Sequence, residues 1–291
     1  MVKTSVGEKI FNGVNMIILF ILGLMTLLPF LHVVAKSLSS QVAISLGKVV
    51  FWPVNLQFDT YRYVLSEAQF LNSFQNSVII TVAGTLLALI LTVMVAYPLS
   101  KPRLKGRKFF LLCFVFIMLF SGGMVPNYLL YKTFGMLNSY WALIVPGLMS
   151  VFNILLVKTF FEGLPDSVEE SARIDGASNF TVLFRIVLPM ALPVLAAVGL
   201  FFAVAYWNSY FSAVLYITKP DLKPLQLYLY ELISQTSAEM GADVDVDRLM
   251  NVDPESIRAT TIILSTLPIL CLYPFLQKYF VKGITIGSVK G

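Results

Sequence analysis

Apolar residues fill long uninterrupted blocks of this chain, and polar residues gather in the gaps between them. Neither the alternation of a half-buried strand nor the single stripe of a surface helix produces such a pattern. Stretches free of Lys, Arg, Asp and Glu cover residues 10–35, 68–100, 109–131, 133–157, 186–218 and 259–277. Each supplies the roughly 20 apolar residues that a membrane-crossing helix needs. The pattern predicts an all-α integral membrane bundle of six transmembrane helices, with cores at 14–34, 78–98, 109–130, 140–157, 192–216 and 259–276, in a single transmembrane domain covering residues 1–291. The first block follows Lys3 and Lys9 and ends near Val33-Val34-Ala35, features shared with signal peptides. Its apolar run is longer than a signal core and five further blocks follow, so it is read as a retained helix.

Composition agrees. Hydrophobic residues make up 57% of the chain and charged residues 13%, with mean hydropathy +0.80. A soluble domain carries roughly a quarter charged residues, so lipid must solvate much of this surface. The net charge of +5 then reports loop orientation, not nucleic-acid binding. The short loop between the second and third blocks holds Lys101, Arg103, Lys105, Arg107 and Lys108 with no acid. Short basic loops stay inside. Both termini and the loop at 158–188 are therefore expected on the cytoplasmic side of a bacterial membrane, with 36–77 and 219–258 outside. Cys113 and Cys271 lie in apolar blocks and read as small buried hydrophobes. His32 reads as a polar residue at a helix end or packed interface.

The loop 158–188 has local structure of its own. Pro165-Asp166-Ser167 opens one short helix, with Ser167 as expected cap and Glu170 closing a capping box. Gly176 ends it in the left-handed conformation. Ser178 is placed to cap a second helix, in which Phe180, Leu183, Phe184, Val187 and Leu188 recur at helical spacing. Pro189 and Pro193 follow where the fifth span starts, a position that tolerates proline or bends. An amphipathic pair lying on the inner leaflet would explain the helical pattern. Small residues at Ser171, Ala172 and Ala177 beside the charges of Glu170 and Asp175 favour instead a surface that a partner approaches closely.

The run Glu170-Ser171-Ala172-Arg173-Ile174-Asp175-Gly176-Ala177, followed after nine residues by Ile186-Val187-Leu188-Pro189, resembles the cytoplasmic coupling loop of bacterial ABC importer permeases. Its form is similar to the carbohydrate-uptake, maltose-type branch, with Ser171 standing where that family usually has Ala. Phe51-Trp52-Pro53, Asn76-Ser77, the segment from Ala96 to Ser100 with Gly106-Arg107, Tyr206-Trp207-Asn208 and the tail from Tyr279 to Gly283 also resemble that branch. The segment from Ser121 to Tyr128 is similar to a sub-branch for oligosaccharides or aldouronates. The resemblance implies that Glu170, Ser171, Ala172, Asp175, Gly176, Ala177, Ile186, Leu188 and Pro189 form an ATPase-coupling loop. It also implies a second permease beside this one, as a heterodimer, two nucleotide-binding subunits carrying Mg-ATP, and an extracytoplasmic solute-binding protein.

What the chain lacks narrows the reading further. No G-x-x-x-x-G-K-[ST] phosphate loop occurs, so no ATP is expected on this chain by that route, and no catalytic residue or cofactor is assigned. No metal spacing appears. Asp243, Asp245 and Asp247 imitate a calcium loop, but Arg248 and Pro254 occupy positions that need Gly and Glu. The alternative function, an ion-coupled secondary transporter of a neutral solute, usually needs a titratable or ion-binding side chain at membrane depth, and the blocks carry no charge. An intramembrane enzyme would need a catalytic His, Asp or Ser pair there. Hydroxyl and aromatic partners for a sugar are available from Asn153 and from Tyr206, Trp207, Asn208, Ser209 and Tyr210. Interfacial aromatic belts and helix-to-helix hydrogen bonding account for the same residue types.

Overall fold

The computed structural model describes residues 6–120, 122–238 and 254–288, and every regular element among them is helical. The aspartates at 243, 245 and 247 lie outside the described residues, as do Ser121 and the side chains of the tail motif at 279–283.

Three helices are long and apolar enough to cross a membrane unbroken: Gly7–Ser37, Ala68–Ser100 and Pro254–Leu272. Three further blocks each form a bent pair. Arg107–Leu119 meets Met124–Thr133 at 110°, Trp141–Gly147 meets Val151–Glu162 at 46°, and Asn179–Met190 meets Leu192–Trp207 at 80°. The third and fourth apolar blocks are thus not the continuous helices that hydropathy suggests. Gly122-Gly123 and Pro126 interrupt one, with Gly123 at φ +84°. Pro146 interrupts the other, and Ser150 recaps its second half by accepting from the Asn153 amide at 3.4 Å. The fifth block stops at Trp207, unwinds over Asn208–Tyr210 and restarts as Phe211–Tyr216.

The chain forms two units, Met1–Phe70 with Leu229–Leu267, and Leu71–Tyr228 with Pro268–Gly291. In the first, sixteen large apolar side chains of the N-terminal helix between Ile10 and Leu31 are exposed. Leaving them in water would forgo on the order of 30 kcal/mol, more than the 5–15 kcal/mol by which domains are typically stable. Hydrocarbon or a partner must cover them. At the C-terminal end of this helix, Lys36 pairs with Glu255 at 2.7 Å, Ser37 Oγ lies 2.8 Å from the Tyr61 hydroxyl, and His32 Nδ1 lies 2.6 Å from the Val50 carbonyl oxygen.

The second unit packs the Ala68–Ser100 helix, through Ala88 and Ala96, into a core with Ile154, Val157, Phe161, Val198 and Phe202. Two glycines set one contact. A Cβ on Gly84 would sit 2.7 Å from the Tyr206 ring, and one on Gly147 would sit 2.9 Å from it. The Tyr206 hydroxyl donates to the Ile144 carbonyl at 2.8 Å. Asn76 fixes the opposite end of the long helix: its Nδ2 donates to the Asp221 and Lys223 carbonyls at 2.8 and 3.0 Å, and its Oδ1 accepts from the Tyr140 hydroxyl at 2.7 Å. Ser77 Oγ accepts from the Leu225 amide at 2.7 Å. The Asn76-Ser77 pair is a structural latch.

Gly84→Ala should destabilise the protein by about 1–3 kcal/mol through overpacking, although alanine is about 1 kcal/mol the better helix former. Thermal unfolding in detergent would show this as a lower Tm. Adding Tyr206→Leu should recover part of the loss, and strictly additive losses would show that the ring is not the obstacle.

Candidate functional site

The site is the loop between the fourth and fifth apolar blocks, and it rests on paired charges. The Val151–Glu162 helix closes on Gly163, Pro165 follows in extended backbone, and Asp166–Ile174 forms the next helix. Asp166 and Glu169 stand in its first turn and Arg173 in its last, matching the helix dipole. Glu169 is only 7% exposed. One carboxylate oxygen bonds the Lys101 ammonium, and the other lies 3.6 Å from the Arg173 guanidinium. The Lys101 ammonium also sits 5.2 Å from the centre of the Tyr97 ring. Glu162 pairs with Arg107 and, at 2.8 Å, with Lys158, while Arg107 Nε donates to the Leu99 carbonyl at 2.8 Å. Lys101 and Arg107, which sequence marks as orientation charges, therefore also tether the loop.

The turn after this helix is a Schellman motif. Gly176 adopts φ +80°, its amide donates to the Arg173 carbonyl at 3.0 Å, and the Ala177 amide reaches the Ala172 carbonyl at 2.9 Å. Half-buried Ala172 and Ala177 pack against the core below it. Glu170, Ser171, Asp175 and Gly176 are exposed, and Ile174 is 86% exposed. One face of the helix is thus anchored while the other presents an apolar tip between carboxylates. Ser167 does not cap the helix. Pro165 occupies the cap position without a side-chain bond, and Ser167 lies within the first turn, its carbonyl accepting from Ser171 Oγ at 2.9 Å. The capping-box expectation fails because Pro165, with its fixed φ and extended ψ, starts the helix two residues earlier.

Ser178 does cap the second helix, accepting from the Thr181 amide at 3.2 Å. That helix runs Asn179–Met190 with a π-helical segment, Leu183–Val187. Val182, Leu183 and Val187 are buried, Ile186 and Leu188 half-buried, and Pro189 exposed. Pro189 and Pro193 have no amide protons, so the carbonyls one turn before them lose their helical partners, and the axis turns by 80° around Ala191.

The residues picked out for a substrate path separate. Asn153, Tyr206 and Trp207 are buried, whereas Asn208 is exposed and Tyr210 is 44% exposed. Tyr206 has its hydroxyl engaged within the chain, and Trp207 meets Phe74 edge-on at 6.0 Å. Among the described residues no group of His, Cys, Asp and Glu could hold a metal ion. Glu162 and Glu169 escape a reading of sequence because their partners are 55 and 68 residues away. Only the spacings of four, Lys158–Glu162 and Glu169–Arg173, are visible in sequence.

Glu169→Ala should lower stability by about 3–5 kcal/mol, because it leaves Lys101 partly buried without its counter-charge. Glu170→Gln, on the exposed face, should change stability by less than about 0.5 kcal/mol. Unfolding of the two variants side by side checks the contrast.

A family model for the binding-protein-dependent transport system inner membrane component matches residues 108–286. The chain is 43% identical to protein LplC of Bacillus subtilis over 99% of its own length and 97% of that protein. It is 40% identical to the polygalacturonan/rhamnogalacturonan transport system permease protein YtcP of Bacillus subtilis, over 94% and 96% of the two chains. A chain in the crystal structure of a bacterial ABC transporter involved in the import of the acidic polysaccharide alginate superposes with TM-score 0.90 at 33% identity, covering 96% of this chain and all of that one. This chain belongs to the binding-protein-dependent transport system inner membrane components, the non-catalytic permease subunits of ABC importers.

Proposed function

We propose that this permease conducts acidic oligosaccharides across the bacterial cytoplasmic membrane, and that the Asp166–Ile174 helix with its Gly176 turn is the lever by which a separate ATPase drives it. The observation that carries the lever reading is the knuckle itself: Ile174 and Asp175 project from a helix whose opposite face is tied down through buried Glu169. A push on that tip has only a short rigid path to the Asn179–Met190 helix and the 80° bend beyond it.

In this reading all six apolar blocks cross the membrane within one domain, the bent pairs counting as single spans. The termini and the basic loop at 101–108 lie in the cytosol. The partners are a second permease, two ATPase subunits holding Mg-ATP, and a solute-binding protein outside, against which parts of 36–77 and 219–258 are presented. Closure of the ATPases moves the knuckle and opens the route outward, and hydrolysis returns it. Such coupling needs two packing states with different access. Ile186, Leu188 and Pro189 pass the movement to the fifth span. Asn208 and Tyr210, exposed where that helix unwinds, are better placed to meet sugar hydroxyls than Tyr206. The substrate class rests on the relatives, one named for polygalacturonan and rhamnogalacturonan and one for an acidic polysaccharide.

Gly176→Val forces a β-branched residue into φ +80°, at a cost above the 1–2 kcal/mol of an ordinary left-handed residue. The expected outcome is at least about a tenfold loss of ATP-driven uptake with the permease still inserted. Unchanged uptake would remove the lever role. With the cognate binding protein, galacturonate oligomers should be carried in preference to neutral glucans of equal length, and the reverse preference would reject the acidic class.

A further inference from the structure

A cavity of about 520 Å³ opens beside the basic loop, lined by Tyr97, Lys101, Arg103, Lys105, Asn179 and Phe180 among others. A second, of about 260 Å³, shares Met94, Phe180 and Leu183 with it and continues as an almost wholly apolar groove along Ile90, Leu188 and Leu195. The two together have a cationic mouth and a hydrocarbon floor. Lys101 is engaged by Glu169, but Arg103 and Lys105 are exposed and form no ion pair among the described residues. The Tyr97 ring, 8% exposed, lines the mouth alongside these cations.

We infer that this cavity is a binding site for one anionic phospholipid, its phosphate held at Arg103 and Lys105 and an acyl chain lying along the groove. Arginine donors in a fork match phosphate oxygens, and basic pockets beside apolar helix faces at the cytosolic surface select acidic lipids. A soluble phosphate would leave the groove empty, and a zwitterionic headgroup would gain little from the two cations. The inner-leaflet location rests on the orientation proposed above. The preference for an anionic lipid does not, since it follows from the cavity lining.

The test uses the assembled transporter in nanodiscs with Met94→Trp as reporter, since this residue lines both cavities. Brominated-chain phosphatidylglycerol should quench the added tryptophan at a mole fraction roughly tenfold lower than brominated phosphatidylcholine. Arg103→Gln with Lys105→Gln should abolish that preference, and Arg103→Lys with Lys105→Arg should keep most of it. Glycerol phosphate without chains should not compete. Equal quenching by both lipids would show only a lipid annulus and overturn the site. Absence of quenching by either would show that a protein partner covers the groove and would overturn it as well. These readouts do not depend on transport, so a failed lever or substrate assignment leaves them interpretable.

Discussion

The ion pair of the Glu169 carboxylate is the interaction on which the architecture of the 158–188 loop depends. It joins the end of the Ala68–Ser100 helix, through Lys101, to a short helix more than sixty residues later, and it reaches Arg173 within that helix. A short helix of nine residues is unstable alone. Here the burial of a charged pair decides where it lies. Because a buried pair contributes little net stability yet is costly to break, its physical effect is to fix one position more than to add strength. The exposed tip is thereby tied to the end of the long helix through Lys101.

The breaks in the apolar blocks have the opposite character. At Gly122-Gly123, Pro146, and Pro189 with Pro193, the backbone loses helical hydrogen bonds at places where the remaining chain stays apolar. In hydrocarbon such breaks persist only where neighbouring protein or a polar cavity meets the freed groups. The unwound Asn208–Tyr210 stretch shows the local form of this, with the Ser209 amide reaching the Tyr206 carbonyl at 3.2 Å and the Tyr210 amide reaching the Asn208 carbonyl at 2.9 Å.

Away from the lever, side-chain amides hold the loops. Asn138, at φ +57°, accepts from the Thr218 and Lys219 amides at 2.6 and 3.0 Å, and its own amide reaches the Tyr216 carbonyl at 2.9 Å. Together with Asn76 and Ser77 these contacts pin the 216–225 connection to the Ala68–Ser100 helix and to the turn that carries Asn138. The 158–188 loop and this connection are held by different means, ion pairs in one and side-chain hydrogen bonds in the other.

The sequence by itself determined the solvent, the helical class and the local form of the 158–188 loop. Twenty-residue apolar blocks have only one stable backbone arrangement in lipid other than a closed barrel, and the Gly176 turn with Ser178 after it is specified by residues in direct succession. The family, too, was legible in Glu170 through Pro189, because the residues that carry the resemblance are close together in sequence. Tertiary structure alone decided the rest. Whether an apolar block is one helix or two depends on which neighbours satisfy the carbonyls that proline leaves open. Whether Tyr206 is a free hydroxyl or a packed ring depends on two glycines 63 residues apart closing around it. Glu169 and Glu170 are adjacent and chemically identical. Only the fold, by placing Lys101 against Glu169, made the first an anchor and left the second exposed.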